Sequence, residues 1–161
     1  MRQKLANVIL CISCALLCLT GTAKIWSAFA TGKSAVLLAN RDPLIGISNK
    51  TLMILVGGIE IGIVLAAVVF RNRKWLPSVA IAMLGSQILV YRYFFAIEGL
   101  SRGCPCLGTL GARIPISEPV LSKLLVGVAC WFLIGGTAAF IVSYPWTNHN
   151  TAESRRRKPT M

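Results

Sequence analysis

Two cysteines separated by a single proline, Cys104-Pro105-Cys106, are the residues of this chain best suited to chemistry. A disulfide closed across one residue makes a tight ring. Tight rings distort disulfide geometry, and distorted, exposed disulfides are readily reduced. Such a pair suits exchange with a second thiol. It is a poor staple, because it closes almost no loop and so removes little chain entropy. Arg102, with Arg92 before it and Arg113 after the pair, would favour the nucleophilic thiolate. Two other readings stand beside exchange: a turn made rigid by Pro105, and a pair of soft ligands for Cu(I) or zinc. Two thiolates alone do not complete a metal site.

Glu60 is the second residue of interest, since a carboxylate inside an apolar run is expensive and marks function by default. Arg92, in a later apolar run, has a side chain long enough to reach towards it. Glu60 is then either half of a structural ion pair, a protonated acid bonded to a neighbouring helix, or a proton carrier for thiol chemistry. Cys11, Cys14 and Cys18 fall on one helical face, and Cys130 lies mid-span; core packing is the expected role of all four. Gly58 and Gly62 make a small-xxx-small pair that permits close helix packing. Gly32-Lys33-Ser34 imitates the end of a phosphate loop, but Ser27 stands where the loop needs glycine and no strand precedes it. Asn49-Lys50-Thr51 is a sequon, and the lone His149 has no chemical context.

The elements that would position these groups are membrane spans. Apolar residues make up 55% of the 161, charged residues only 14%, and the mean hydropathy is +0.69. The excess comes in four blocks, about 5–23, 51–70, 76–97 and 120–144, each long enough to cross a bilayer. The expected architecture is an all-α integral membrane four-helix bundle over residues 1–146, followed by a basic, disordered cytoplasmic tail, 147–161. The first block also has features of a signal peptide, with Thr20-Gly21-Thr22-Ala23 as a weak cleavage site, whereas a lipid anchor at Cys14 or Cys18 is disfavoured because neither has a good lipobox before it. An uncleaved helix is the reading preferred here.

The net charge of +12 does not indicate a nucleic-acid partner, because the basic residues flank the apolar blocks and no basic face carries interleaved aromatics. Nine Lys and Arg fall on the side of the termini (Arg2, Lys4, Arg71, Arg73, Lys74, and Arg155 to Lys158) and seven on the other. That bias puts both termini in the cytoplasm and the Cys104–Cys106 loop in the periplasm of a bacterial inner (plasma) membrane.

With Gly21-x-x-Lys24 closing the first helix, Asp42-Pro43 in the first loop, Glu60 in the second helix and Cys104-Pro105-Cys106-Leu107-Gly108 after the third, the chain resembles the MauE-type methylamine-utilisation proteins of the DoxX-like membrane group. The resemblance covers roughly residues 21–108. It implies a four-helix membrane protein, with Cys104 and Cys106 as a redox pair and Glu60 as an intramembrane acid. It also implies a role in maturing a disulfide-rich periplasmic partner. The proline between the cysteines and the basic tail depart from that pattern. The expected function is a membrane thiol–disulfide redox component, an oxidoreductase acting on a periplasmic protein by disulfide exchange. Its electrons would pass to a further carrier; a quinone is one such cofactor, though no residue pattern marks a quinone site. The alternatives are a non-enzymatic assembly subunit and a small-solute or metal transporter.

Overall fold

The computed structural model describes residues 2–29, 38–98 and 118–144. The expectations for Cys104, Cys106, Arg102 and Arg113, for the Gly32-Lys33-Ser34 decoy and for the basic tail lie outside the described residues. The described residues form four long helices: α1 Arg2–Ala28, α2 Asn49–Val69, α3 Trp75–Ile97 and α4 Glu118–Ser143. Each contains a stretch long and apolar enough to cross a membrane. The protein is therefore a membrane-embedded four-helix bundle.

The ends are set by local chemistry. Ser48 caps α2, its Oγ accepting the Thr51 N–H at 3.2 Å. Pro77 sits in the first turn of α3, where its missing N–H leaves no helical bond unmade. Helix α1 runs five residues beyond the expected 23, because Lys24 lies within the bundle and not at its edge. At one end of the bundle, Lys74 Nζ donates to Asn7 Oδ1 at 2.8 Å and Trp75 stacks edge-on against Tyr144. These contacts bring together the start of α1, the α2–α3 turn and the end of α4. The loop after α1, the end of α3 and the start of α4 share the opposite end.

Going round the bundle, α1 packs on α2 and α4, and α4 packs closely on α3, while α2 and α3 meet at only a few residues. Glycines explain this inequality. A Cβ on Gly85 would lie 2.6 Å from the Leu133 nitrogen, and one on Gly136 would lie 2.7 Å from the Ala82 nitrogen, so the α3 and α4 backbones touch. Gly21 and Gly57 do the same for α1 and α2, each Cβ position lying within 3.1 Å of the other's carbonyl oxygen. Gly58 and Gly62, expected to be packing glycines, have nothing within 4 Å of a Cβ position and face outward. The spacing was right for a packing motif, but the inward face of α2 is one residue, about 100°, away.

The same rotation corrects the cysteines. α1 turns Ala6, Ser13, Leu17 and Lys24 inward, leaving Cys11 and Cys18 on its outer surface and Cys14 half-buried. Cys130 is also half-buried, and all four are free thiols. Leu17, Ile81, Leu84 and Phe132 form the apolar centre between the two tight pairs.

The glycines give a test by sign. Alanine is the better helix former by about 1 kcal/mol, so Gly58→Ala should raise thermal stability in detergent. Gly85→Ala should lower it by about 1–3 kcal/mol, because backbone atoms of α4 cannot move aside for a methyl.

Candidate functional site

The close approach at Gly21 and Gly57 sets Lys24 of α1 against Glu60 of α2. Lys24 Nζ lies 2.5 Å from Glu60 Oε1, and Thr20 Oγ1 donates to Glu60 Oε2 at 3.1 Å. Glu60 is 1% exposed and Lys24 8%. Both carboxylate oxygens are thus satisfied, as an ion held in an apolar span requires. Glu60 lies eleven residues into α2, about 16 Å along its axis.

The sequence reading paired Glu60 with Arg92, and the structure does not. Arg92 Nη2 donates instead to Ser122 Oγ of α4 at 2.6 Å. Its Nη1 is buried with no hydrogen-bond acceptor among the described residues. Lys24 was read as a charge flanking the first span, and its role as the partner of Glu60 was missed. The signal was present: Ala6, Ser13, Leu17 and Lys24 follow the three-to-four spacing of one helical face, and a mid-span carboxylate calls for a cation on a facing helix.

Asp42, placed by the sequence in the first loop, has two roles. Its Oδ1 accepts the N–H groups of Leu44 and Ile45, both at 3.0 Å, and so builds the Asp-Pro turn. Gly46, with φ +76°, closes that turn in a conformation that favours glycine. The other oxygen, Oδ2, accepts the Tyr91 hydroxyl of α3 at 2.5 Å. Asp42 is 1% exposed, so the loop after α1 is anchored across the bundle to α3.

Lys24, Glu60, Tyr91 and Arg92 border a cavity of about 220 Å³ that draws on all four helices. Lys24 and Thr20 of α1 and Glu60 of α2 line it, with Ile45 and Asn49 from before and at the start of α2 and Gln87, Tyr91 and Arg92 from α3. The remaining walls are apolar, among them Val56, Ile88, Val128 and Phe132. Ile59 of α2 and Gln87 of α3 line the cavity yet are exposed, and so is Ile45 of the first loop, so the cavity opens at the loosely closed α2–α3 seam as well as at its loop end. Among the described residues, no group of three or more His, Cys, Asp and Glu is placed to hold a metal ion.

Removing one partner of a buried pair strands the other charge. Glu60→Gln and Lys24→Met should each lower stability by about 3–5 kcal/mol, while the double variant Lys24→Met/Glu60→Met loses less than either alone. A double-mutant cycle on reversible unfolding in mixed micelles reads this coupling. Tyr91→Phe, which removes one donor to the Asp42 carboxylate, should cost about 1.5–3 kcal/mol in the same assay.

Compared with known proteins, the chain matches no family model, no curated protein and no solved structure. Its function has to be read from the chemistry of its own residues.

Proposed function

We propose that this protein is a thiol–disulfide redox component of a bacterial plasma membrane, with Cys104 and Cys106 as the exchanging pair and a periplasmic protein as partner. The observation that carries the reading is positional. Buried Lys24 and Asp42 and half-buried Tyr91 and Arg92 gather in the half of the bundle where α3 ends and α4 begins, with buried Glu60 at mid-span beside them. The cysteine pair belongs to the segment joining those two ends, six residues after Glu98. A chain of six residues extends at most about 20 Å, which bounds the distance of the pair from the end of α3.

The exchange proceeds by thiolate attack. A thiolate of the partner attacks one sulfur of the Cys104–Cys106 disulfide, forming a mixed disulfide and releasing the other cysteine as thiolate. The partner's second thiolate then attacks the mixed bond. The partner leaves oxidised, and Cys104 and Cys106 are left as a dithiol holding the electron pair. Run in reverse, the same steps reduce a partner disulfide. Glu60 enters as the intramembrane acid of the site, held in place by its pairing with Lys24. The excess of Lys and Arg beside the termini and in the α2–α3 turn supports cytoplasmic termini and a periplasmic cysteine pair.

Thiol trapping on intact cells tests this reading. A membrane-impermeant maleimide should label Cys104 and Cys106 only after mild reduction, and the label should vanish in Cys104→Ser/Cys106→Ser. Single Cys→Ser variants should accumulate mixed disulfides with a periplasmic protein. Free labelling without reductant, or no labelling from outside, would sink the reading.

A further inference from the structure

We infer that the cavity between α2 and α3 is a binding site for the ring of a neutral, membrane-dissolved carbonyl compound, the chemistry of a quinone headgroup. Three observations converge on it. The first is size and lining. A dry apolar cavity of about 150 Å³ accepts a benzene ring. The 220 Å³ here holds one substituted ring and leaves no space for a long tail. The tail must therefore leave by an opening. Of its two openings, the one at Ile59, about 15 Å along α2, lies at hydrocarbon depth and suits an apolar tail.

The second observation is charge. Two cations, Lys24 and Arg92, and two carboxylates, Glu60 and Asp42, border the cavity or bond to its lining. Their charges cancel, and Glu60 and Asp42 already have their own donors. An anion entering such a space would meet no net positive field, whereas a neutral molecule would incur no charge imbalance. The third is the open donor. Arg92 Nη1 is buried beside the cavity with no acceptor among the described residues, and a buried guanidinium N–H calls for an oxygen. The Gln87 amide on the same wall adds a second donor. A carbonyl oxygen satisfies Arg92 without adding charge.

The consequence for electron flow rests on the thiol–disulfide reading. There the dithiol left by exchange gives two electrons and two protons to the quinone. The S–S bond re-forms as both carbonyls become hydroxyls, so dithiol and quinone yield disulfide and quinol with nothing left over. Binding itself does not depend on that reading.

The test is equilibrium binding of a decyl-chain benzoquinone to the full-length protein in quinone-free phospholipid nanodiscs, followed by fluorescence quenching. Wild type should bind saturably. Arg92→Ala should weaken binding at least tenfold, as should Ile88→Phe, which fills the cavity while leaving Arg92 intact. Circular dichroism checks that both variants keep their helices. Cys104→Ser/Cys106→Ser should bind as wild type does. No saturable binding by wild type, or binding unchanged in Ile88→Phe, would overturn the site. So would native mass spectrometry of the protein from cell membranes showing a phospholipid displaced by Ile88→Phe in place of a quinone. Loss of this site with thiol trapping intact leaves the exchange reading standing, and the reverse result removes exchange while leaving the site.

Discussion

A carboxylate eleven residues into a membrane helix sets the terms on which the rest of this bundle is built. Glu60 has lost its water, and each of its oxygens must find a donor inside the protein. Lys24 and Thr20 supply them from α1. That arrangement requires α1 and α2 to lie nearly in backbone contact, which Gly21 and Gly57 permit. The ion pair and the glycine contact are therefore one construction. The pair also accounts for the length of α1: with its charge answered inside the protein, Lys24 need not mark the membrane surface, and the helix continues to Ala28.

Two tight helix pairs joined along α1 and α4 leave one side of the ring slack. On α3 and α4 the contact is backbone to backbone at Gly85 and Gly136, and no comparable glycine contact ties α2 to α3. Lipid tails are as apolar as leucine, so there is little hydrophobic drive to close such a gap in a bilayer; helices meet where small residues or polar bonds bring them together. The Asp42–Tyr91 bond supplies a polar tie between the first loop and α3. The cavity survives below it because nothing there draws the two helices together.

The helix count and the membrane class were legible as blocks of apolar residues, a signal that needs no knowledge of packing. The individual faces were not. Cys11, Cys14 and Cys18 share a stripe and were taken for core, yet the inward stripe holds Ser13, Leu17 and Lys24. In a membrane both faces of a helix are apolar, so hydropathy does not tell inside from outside as it does in water. Gly58 was chosen over Gly57 for the same reason. The partner of Glu60 was misassigned because distance along the chain does not fix which helices are neighbours: Arg92 faces Ser122 of α4, and Lys24, though nearer the end of its apolar block, faces Glu60. The turn that Asp42 builds is local, since Asp-Pro followed by glycine is turn chemistry. Its bond to Tyr91, 49 residues away, has no local signature.

The sideways mouth of the cavity changes what its apolar walls are worth. A pocket that opens to water gains affinity from every square ångström of apolar surface it covers. Here a guest arrives already dissolved in hydrocarbon, and moving from lipid tails to Val56, Ile88 and Phe132 gains it almost nothing by that route. The walls act as a sieve for shape and contribute little attraction. Discrimination among membrane-dissolved molecules falls to a handful of polar atoms, the guanidinium of Arg92 foremost, because a hydrogen bond offered within the bilayer has no water to compete with it.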